Sequence, residues 1–343
     1  MSHRTGKGMS NRKFQKFFII LVATIATVQT AFAETKQTLT IYTYDSFISE
    51  WGPGPAIKKN FEAECNCELK FIGLDSSIGI LGRVQLEGAS SPADIVLGLD
   101  TNLSDVAAKT GLFRPHRATS APNNLPVSFQ DDIFMPFDWG YFAFIYDKNK
   151  IKTPPTSFED LIASDNNWKI AIQDPRTSTP GLGLLLWIKA IYGEKAPKIW
   201  AGLKPKILTV TKGWWDAYSI FLEGDADMVL SYTTSPAYHM IAEGKDNYAA
   251  AKFAPGHYAQ IEVAAILKSG KSPELAERFI NFIQSEKFQS VIPTANWMYP
   301  TQKDLTPAEF SSLVKPEKTF LLPSHVVREN KGAWVNEWIE ATQ

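Results

Sequence analysis

Three tryptophans sit in turns, where a large apolar ring has little core to fill. Trp51 lies in Trp51-Gly52-Pro53-Gly54-Pro55, Trp214 in Lys212-Gly213-Trp214-Trp215, and Trp297 in Asn296-Trp297-Met298-Tyr299. Turns on a rigid frame are where binding residues concentrate. Tyr44 precedes Asp45-Ser46-Phe47, and Tyr232 and Tyr238 bracket Thr233-Thr234-Ser235-Pro236. Aromatic faces hold flat rings by stacking and cations through the ring quadrupole, each contact contributing about 0.5–2 kcal/mol. Hydroxyls are interleaved with them: Ser76 and Ser77, then Ser178 and Thr179 directly before Pro180. Proline at a first-turn position marks a helix start, and free N–H groups there suit an anion. The chemistry on offer is capture of a flat or cationic organic solute, with an anion site at one edge. The plain alternative for Ser178 or Thr179 is an N-cap, about 1 kcal/mol of helix stability with no ligand. Trp215 follows Trp214 at a helix start, so at most one of the two is expected to face a ligand. Trp187, Trp200, Trp334 and Trp338 fall at apolar helix positions and read as core.

Bond-breaking chemistry finds little support. The chain holds no G-x-S-x-G elbow, no G-x-x-x-x-G-K-[ST] loop and no H-E-x-x-H pair. His116, His239, His257 and His325 are scattered, and Asp131-Asp132 reads as solvated surface. No catalytic residue, metal site or cofactor is assigned, and the chain reads as a binder, not an enzyme. Cys65 and Cys67 are the only thiols. In an oxidising compartment they can close a small ring; otherwise they are two free thiols entering a strand. C-x-C lacks the usual redox spacing.

These residues need elements to hold them. The 343 residues carry 35 Lys+Arg against 36 Asp+Glu, too even a balance for a nucleic-acid binder. Residues 1–16 are basic without an acid, Phe17–Val28 is apolar, and Ala31-Phe32-Ala33 fits an A-x-A cleavage site. Twelve apolar residues make about 18 Å of helix, short of a bilayer core of about 30 Å. The reading is a cleaved leader over 1–33, cut after Ala33, and a periplasmic mature chain. That chain keeps 30 basic against 36 acidic residues.

Strands are predicted at Leu39–Tyr44, Glu68–Gly73, Ala93–Gly98, Lys169–Gln173, Leu208–Thr211 and Asp227–Tyr232. Helical periodicity lies between them, as in Pro53–Glu64, Ile78–Glu87, Pro180–Tyr192 and Gly213–Leu222. That alternation predicts an α/β fold with parallel sheets. Two longer extended segments, Ile133–Asp147 and Gln260–Leu267, read as hinge strands between two lobes. Lobe 1 is 34–138 plus 268–343, and lobe 2 is 139–267. Ligands in such folds bind beyond the strand C-termini, where the aromatic and hydroxyl turns fall.

The strings Thr43-Tyr44-Asp45-Ser46-Phe47, Trp51-Gly52-Pro53-Gly54-Pro55, QDPRTSTPGLGLLLW over 173–187, LSYTTSPAYH over 230–239 and Asn296-Trp297-Met298-Tyr299-Pro300 resemble the periplasmic thiamine-binding proteins of ABC importers, in order along the whole mature chain. The resemblance implies a two-lobe type II periplasmic-binding-protein fold with two hinge-crossing strands. It also implies thiamine as ligand, with its mono- and diphosphate, and an inner-membrane ABC permease as partner to a monomer. Carried over residue by residue, the site is Tyr44, Trp51, Ser178, Thr179, Trp214, Tyr232, Thr233, Thr234, Ser235, Tyr238 and Trp297. Ser76 and Ser77 align with a further contact, where this chain departs from the family's usual acidic-Gly pair. Cys65-Asn66-Cys67 also belongs to the family's pattern. The rival readings are a polyamine or iron receptor on the same fold, or a thiamine-degrading enzyme with a nucleophilic cysteine. Iron would want adjacent tyrosinates with other hard ligands, and no Tyr-Tyr pair occurs.

Overall fold

The computed structural model describes residues 36–163 and 165–342; the leader over 1–33 and its cleavage point lie outside the described residues. The first third runs β1 (Thr38–Tyr44), α1 (Asp45–Ile48), α2 (Gly54–Cys65), β2 (Glu68–Leu74), α3 (Ser77–Glu87), β3 (Ile95–Asp100), α4 (Ser104–Lys109) and β4 (Phe113–Arg114). Next come β5 (Met135–Asp147), α5 (Phe158–Ala163), β6 (Ile170–Gln173), α6 (Thr179–Tyr192), α7 (Ala196–Leu203), β7 (Ile207–Thr211), α8 (Trp214–Glu223), β8 (Met228–Tyr232) and α9 (Ser235–Ala242). The remainder is β9 (Tyr248–Ala250), β10 (His257–Leu267), α10 (Pro273–Ile283), α11 (Glu286–Gln289), β11 (Tyr299–Pro300), β12 (Thr319–Phe320) and α12 (Ser324–Thr342).

The main sheet has the order β2-β1-β3-β10-β5-β8-β6-β7. Each end is parallel, β2-β1-β3 and β8-β6-β7, as crossover helices require. The two ends are joined by the long strands β5 and β10, which run antiparallel to each other. Strand β5 changes neighbours along its length. Through Tyr141 it pairs with β10, and from Phe142 onward it pairs with β8. Every residue of β10 is buried, so its sequence shows no regular in–out alternation. The two extended segments of the sequence are thus the strands that cross between two lobes. The second is three residues longer than its sequence pattern indicated, because His257, Tyr258 and Ala259 extend the same strand.

Each lobe packs its own helices on its sheet. Phe61 of α2 meets Phe279 and Phe282 of α10 at centroid distances of 5.0 and 5.1 Å. In the other lobe Trp187 of α6 packs on Phe253, Phe158 and His257. Trp187, Trp200 and Trp338 are buried as expected, whereas Trp334 is only half-buried, with Lys189 Nζ over its ring at 5.4 Å. The final helix is long and its apolar face is shared among neighbours, so not every indole on it is covered.

Helix α2 ends at Asn66, whose left-handed backbone (φ 52°, ψ 38°) stops the helix while its N–H still reaches Glu62 O. Asparagine tolerates that conformation better than most residues. The turn brings Cys65 and Cys67 together, and they form a disulfide. This resolves the alternative left open by the sequence. Closing so short a loop removes little unfolded-state freedom, so Cys65→Ser with Cys67→Ser should lower stability by about 1–2 kcal/mol. Thermal unfolding of the pair against wild type checks this; an unchanged midpoint would show the bridge to be stabilising nothing.

Candidate ligand-binding site

The C-terminal ends of β1, β2, β6, β7 and β8 converge on one cavity of about 400 Å3, within the usual range for a small-molecule site. One wall is built on α8, which starts directly after β7. Trp214 stacks on Tyr218 at 5.1 Å, and its Nε1 donates to Ser231 Oγ at 2.8 Å. That bond and the stack fix the indole plane. Trp215 also lines the cavity, 5.9 Å from Trp214 and 5.9 Å from Trp51. The expectation that only one of the pair faces inward is therefore wrong. The cavity is wide enough at its mouth for two side chains roughly 100° apart on a helix to bound it. Trp51 and Trp215 are each 52 % exposed. Another wall is Trp297 with Tyr238 edge-on at 5.3 Å. Trp297 has φ 56° and closes a single π-helical turn, Ile292–Asn296. Such turns re-aim a side chain away from the regular helix direction.

At the cavity's polar edge two helix starts meet. Ser76 caps α3, its Oγ accepting from Gly79 N at 3.3 Å and donating to Thr177 O at 2.6 Å. Ser77 Oγ donates to Gly98 O and accepts from Thr179 Oγ1 at 2.9 Å. Ser178 occupies the N-cap position of α6 but makes no capping hydrogen bond. Its hydroxyl is not spent on the helix, which removes the plain alternative for that residue. Lys212 pairs with Asp75 across the same seam. These contacts join the β2–α3 turn to the β6–α6 and β7–α8 turns, so the cleft is closed.

The floor is polar. Tyr44 OH donates to Glu262 Oε2 at 2.8 Å and accepts from Asn296 Nδ2 at 2.9 Å, while the same amide donates to Asp138 Oδ2 at 2.6 Å. Tyr232 OH donates to Gln260 Oε1 at 3.0 Å, and Gln260 Nε2 donates to Glu262 Oε1 at 3.1 Å. Burial and the nearby carboxyls hold both phenols well above their ordinary pKa, so they stay neutral and are poor metal ligands. Burial likewise raises Asp138 to about 7 and Glu262 well above the usual carboxylate range, the latter also through Asp138. Among the described residues no three His, Cys, Asp or Glu side chains are arranged to hold a metal ion. The disulfide leaves no thiol free, and neither cysteine lines the cavity.

A cleft between two α/β lobes, aromatic on its walls and closed by interlobe hydrogen bonds, is a solute trap. The family described as bacterial extracellular solute-binding protein matches residues 49–290. The chain belongs to that family. Among its relatives, the thiamine-binding periplasmic protein of Escherichia coli K12 is 54 % identical over 306 residues, covering 89 % of this chain and 94 % of the relative. That of Brucella suis is 51 % identical over 313 residues, 90 % and 93 % of the two chains. A solved structure titled periplasmic thiamin binding protein superposes with a TM-score of 0.88 at 53 % identity, covering 91 % of this chain and 98 % of that one.

The solute-binding cleft gathers most of the residues singled out in the sequence. Tyr44, Trp51, Ser76, Ser77, Ser178, Thr179, Trp214, Tyr232, Ser235, Tyr238 and Trp297 all line it. Thr233 and Thr234 do not; both are fully buried. The chain turns sharply there, Thr233 N bonding back to Tyr141 O and Thr234 Oγ1 resting 3.9 Å from Met298 Sδ. Tyr218, Gln260 and Glu262 line the cavity without having been anticipated, and Ser46, Asn296 and Met298 come from turns that the sequence marked without singling those residues out. For Gln260 and Glu262 a signal existed. In the segment Gln260–Leu267 they are the two polar residues, two apart and hence on one face, among otherwise apolar ones.

Proposed function

We propose that this chain is a periplasmic receptor that binds thiamine between its two lobes and delivers it to an inner-membrane ABC permease. The observation that carries the reading is the aromatic cage of Trp214, Trp297, Tyr44, Tyr232 and Tyr238 around a cavity of about 400 Å3, in a chain 54 % identical to a thiamine-binding periplasmic protein. Thiamine combines a cationic thiazolium, a flat aminopyrimidine and a hydroxyethyl tail. Aromatic faces suit both rings, and the thiazolium gains cation–π attraction. The tail, or the phosphate of its mono- and diphosphate esters, points to the starts of α3 and α6, where N–H groups and the uncommitted Ser178 hydroxyl favour an anion. The described chain supplies no nucleophilic thiol, in keeping with a binding role that breaks no bond.

The lobes in this reading are 34–138 plus 268–343 and 139–267, with the change of sheet at Tyr141/Phe142 of β5 supporting the first division. The mature protein begins after Ala33 and acts as a monomer.

The test is tryptophan emission titrated with thiamine. The expected result is saturable change with Kd below about 10 μM, the range an importer's receptor needs. A folded sample showing no binding at that concentration would overturn the ligand assignment.

A further inference from the structure

The cavity floor holds a feature that stacking does not use. Asp100 on β3, Glu262 on β10 and Asp138 on β5 are register partners across three adjacent strands. Their side chains therefore stand in one row on one face, with neighbouring Cβ atoms about 5 Å apart. Like charges so placed destabilise a sheet. Glu262 lines the cavity, and Asp100 and Asp138 are fully buried. No amide, hydroxyl or cationic donor reaches Asp138 Oδ1 or Asp100 Oδ2 among the described residues. The groups facing the Asp138–Glu262 pair are Asp100, the neutral phenols of Tyr44 and Tyr232, and the amides of Asn296 and Gln260. Lys331 of α12 acts on Asp100, whereas no cation is among the main influences on Asp138 or Glu262. The chain thus places buried carboxyls at a ligand cavity with no cation hydrogen-bonded to them among the described residues.

We propose that the Asp138–Glu262 pair is the charge-selecting element of the cleft, supplying the negative charge that a ligand's fixed positive charge neutralises. This rests on the thiamine reading above. The aromatic walls accept a flat ring whether or not it is charged; the carboxyl pair distinguishes the two. Burial raises both carboxyls, Asp138 to about 7 and Glu262 well above the usual carboxylate range, so the pair retains a proton near neutral pH. A cation beside it favours loss of that proton, so thiamine binding near pH 7 releases protons to solvent.

The experiment is calorimetric titration of the full mature chain with thiamine and with 3-deazathiamine, its neutral thiophene isostere. Wild type should prefer thiamine by about ten-fold or more. Asp138→Asn and Glu262→Gln each leave one carboxylate and keep part of the preference; the double variant should collapse it to within about three-fold. A folded double variant that keeps the wild-type ratio overturns the proposal. Should the double variant not fold, wild type is titrated in buffers of different ionisation enthalpy. Proton release with thiamine but not with the isostere supports the proposal, and equal release with both overturns it. A wild-type chain that binds neither compound overturns the thiamine reading itself.

Discussion

Alanine at both Trp214 and Trp297 should raise the Kd for thiamine by about 100-fold, roughly 2–4 kcal/mol. Each ring is held in place before any ligand arrives. Trp214 is fixed by its bond to Ser231 and its stack on Tyr218, and Trp297 by the π turn and Tyr238. Truncation therefore removes a prepaid stacking surface and lets water onto the thiazolium. The two residues come from separate elements, so their single effects should nearly add. Calorimetric titration of both single variants and the double, with circular dichroism to confirm folding, measures this. A double variant within about three-fold of wild type, less than one stacking contact is worth, would return both indoles to a structural role.

Gly181→Ala should unfold the protein more readily by about 3 kcal/mol or more. A Cβ at Gly181 would collide with Gln173 O and stand 2.6 Å from Asp174 C and 2.7 Å from Asp174 O. These are main-chain atoms at the end of β6 and cannot swing aside as a flexible side chain would. The first turn of α6 would have to lift off the strand, taking Ser178 and Thr179 with it. For a chain of this size a loss of about 3 kcal/mol should lower the unfolding midpoint by about 4–5 °C. A midpoint unchanged from wild type would mean that the strand–helix contact is looser than its geometry indicates. Binding of thiamine monophosphate should suffer more than that of thiamine, because in the proposed pose the displaced turn faces the tail.

What could be read in advance follows a physical line. Local signals carried far: turn-bound Trp51, Trp214 and Trp297, the Ser178-Thr179-Pro180 helix start, and the two long extended segments that became β5 and β10. Each depends only on neighbours in the chain. Features set by tertiary pairing did not show. The row of Asp100, Glu262 and Asp138 exists because β10 runs antiparallel between β3 and β5. No local pattern states that register. The short helix α1 and the π turn at Ile292–Asn296 are likewise products of packing; the latter begins Ile-Pro and has no helical stripe of its own. Thr233 and Thr234 sit in a motif that touches the cleft, yet a tight turn after β8 points them into the protein.

Trp51 and Trp215 stand 5.9 Å apart at the mouth, one after β1 and one on α8, half in solvent. Each belongs to a different side of the cleft, so any parting of the lobes separates the two indoles. Excited-state coupling and mutual quenching between neighbouring rings vanish over a few ångströms. The native protein therefore carries its own optical gauge of aperture, with no label attached. Emission from this pair reports how wide the cleft stands, while emission from Trp214 and Trp297 reports what is inside it. A single spectrum mixes these with the emission of the chain's six other tryptophans; replacing Trp215 by phenylalanine isolates what Trp215 contributes, its contact with Trp214 included.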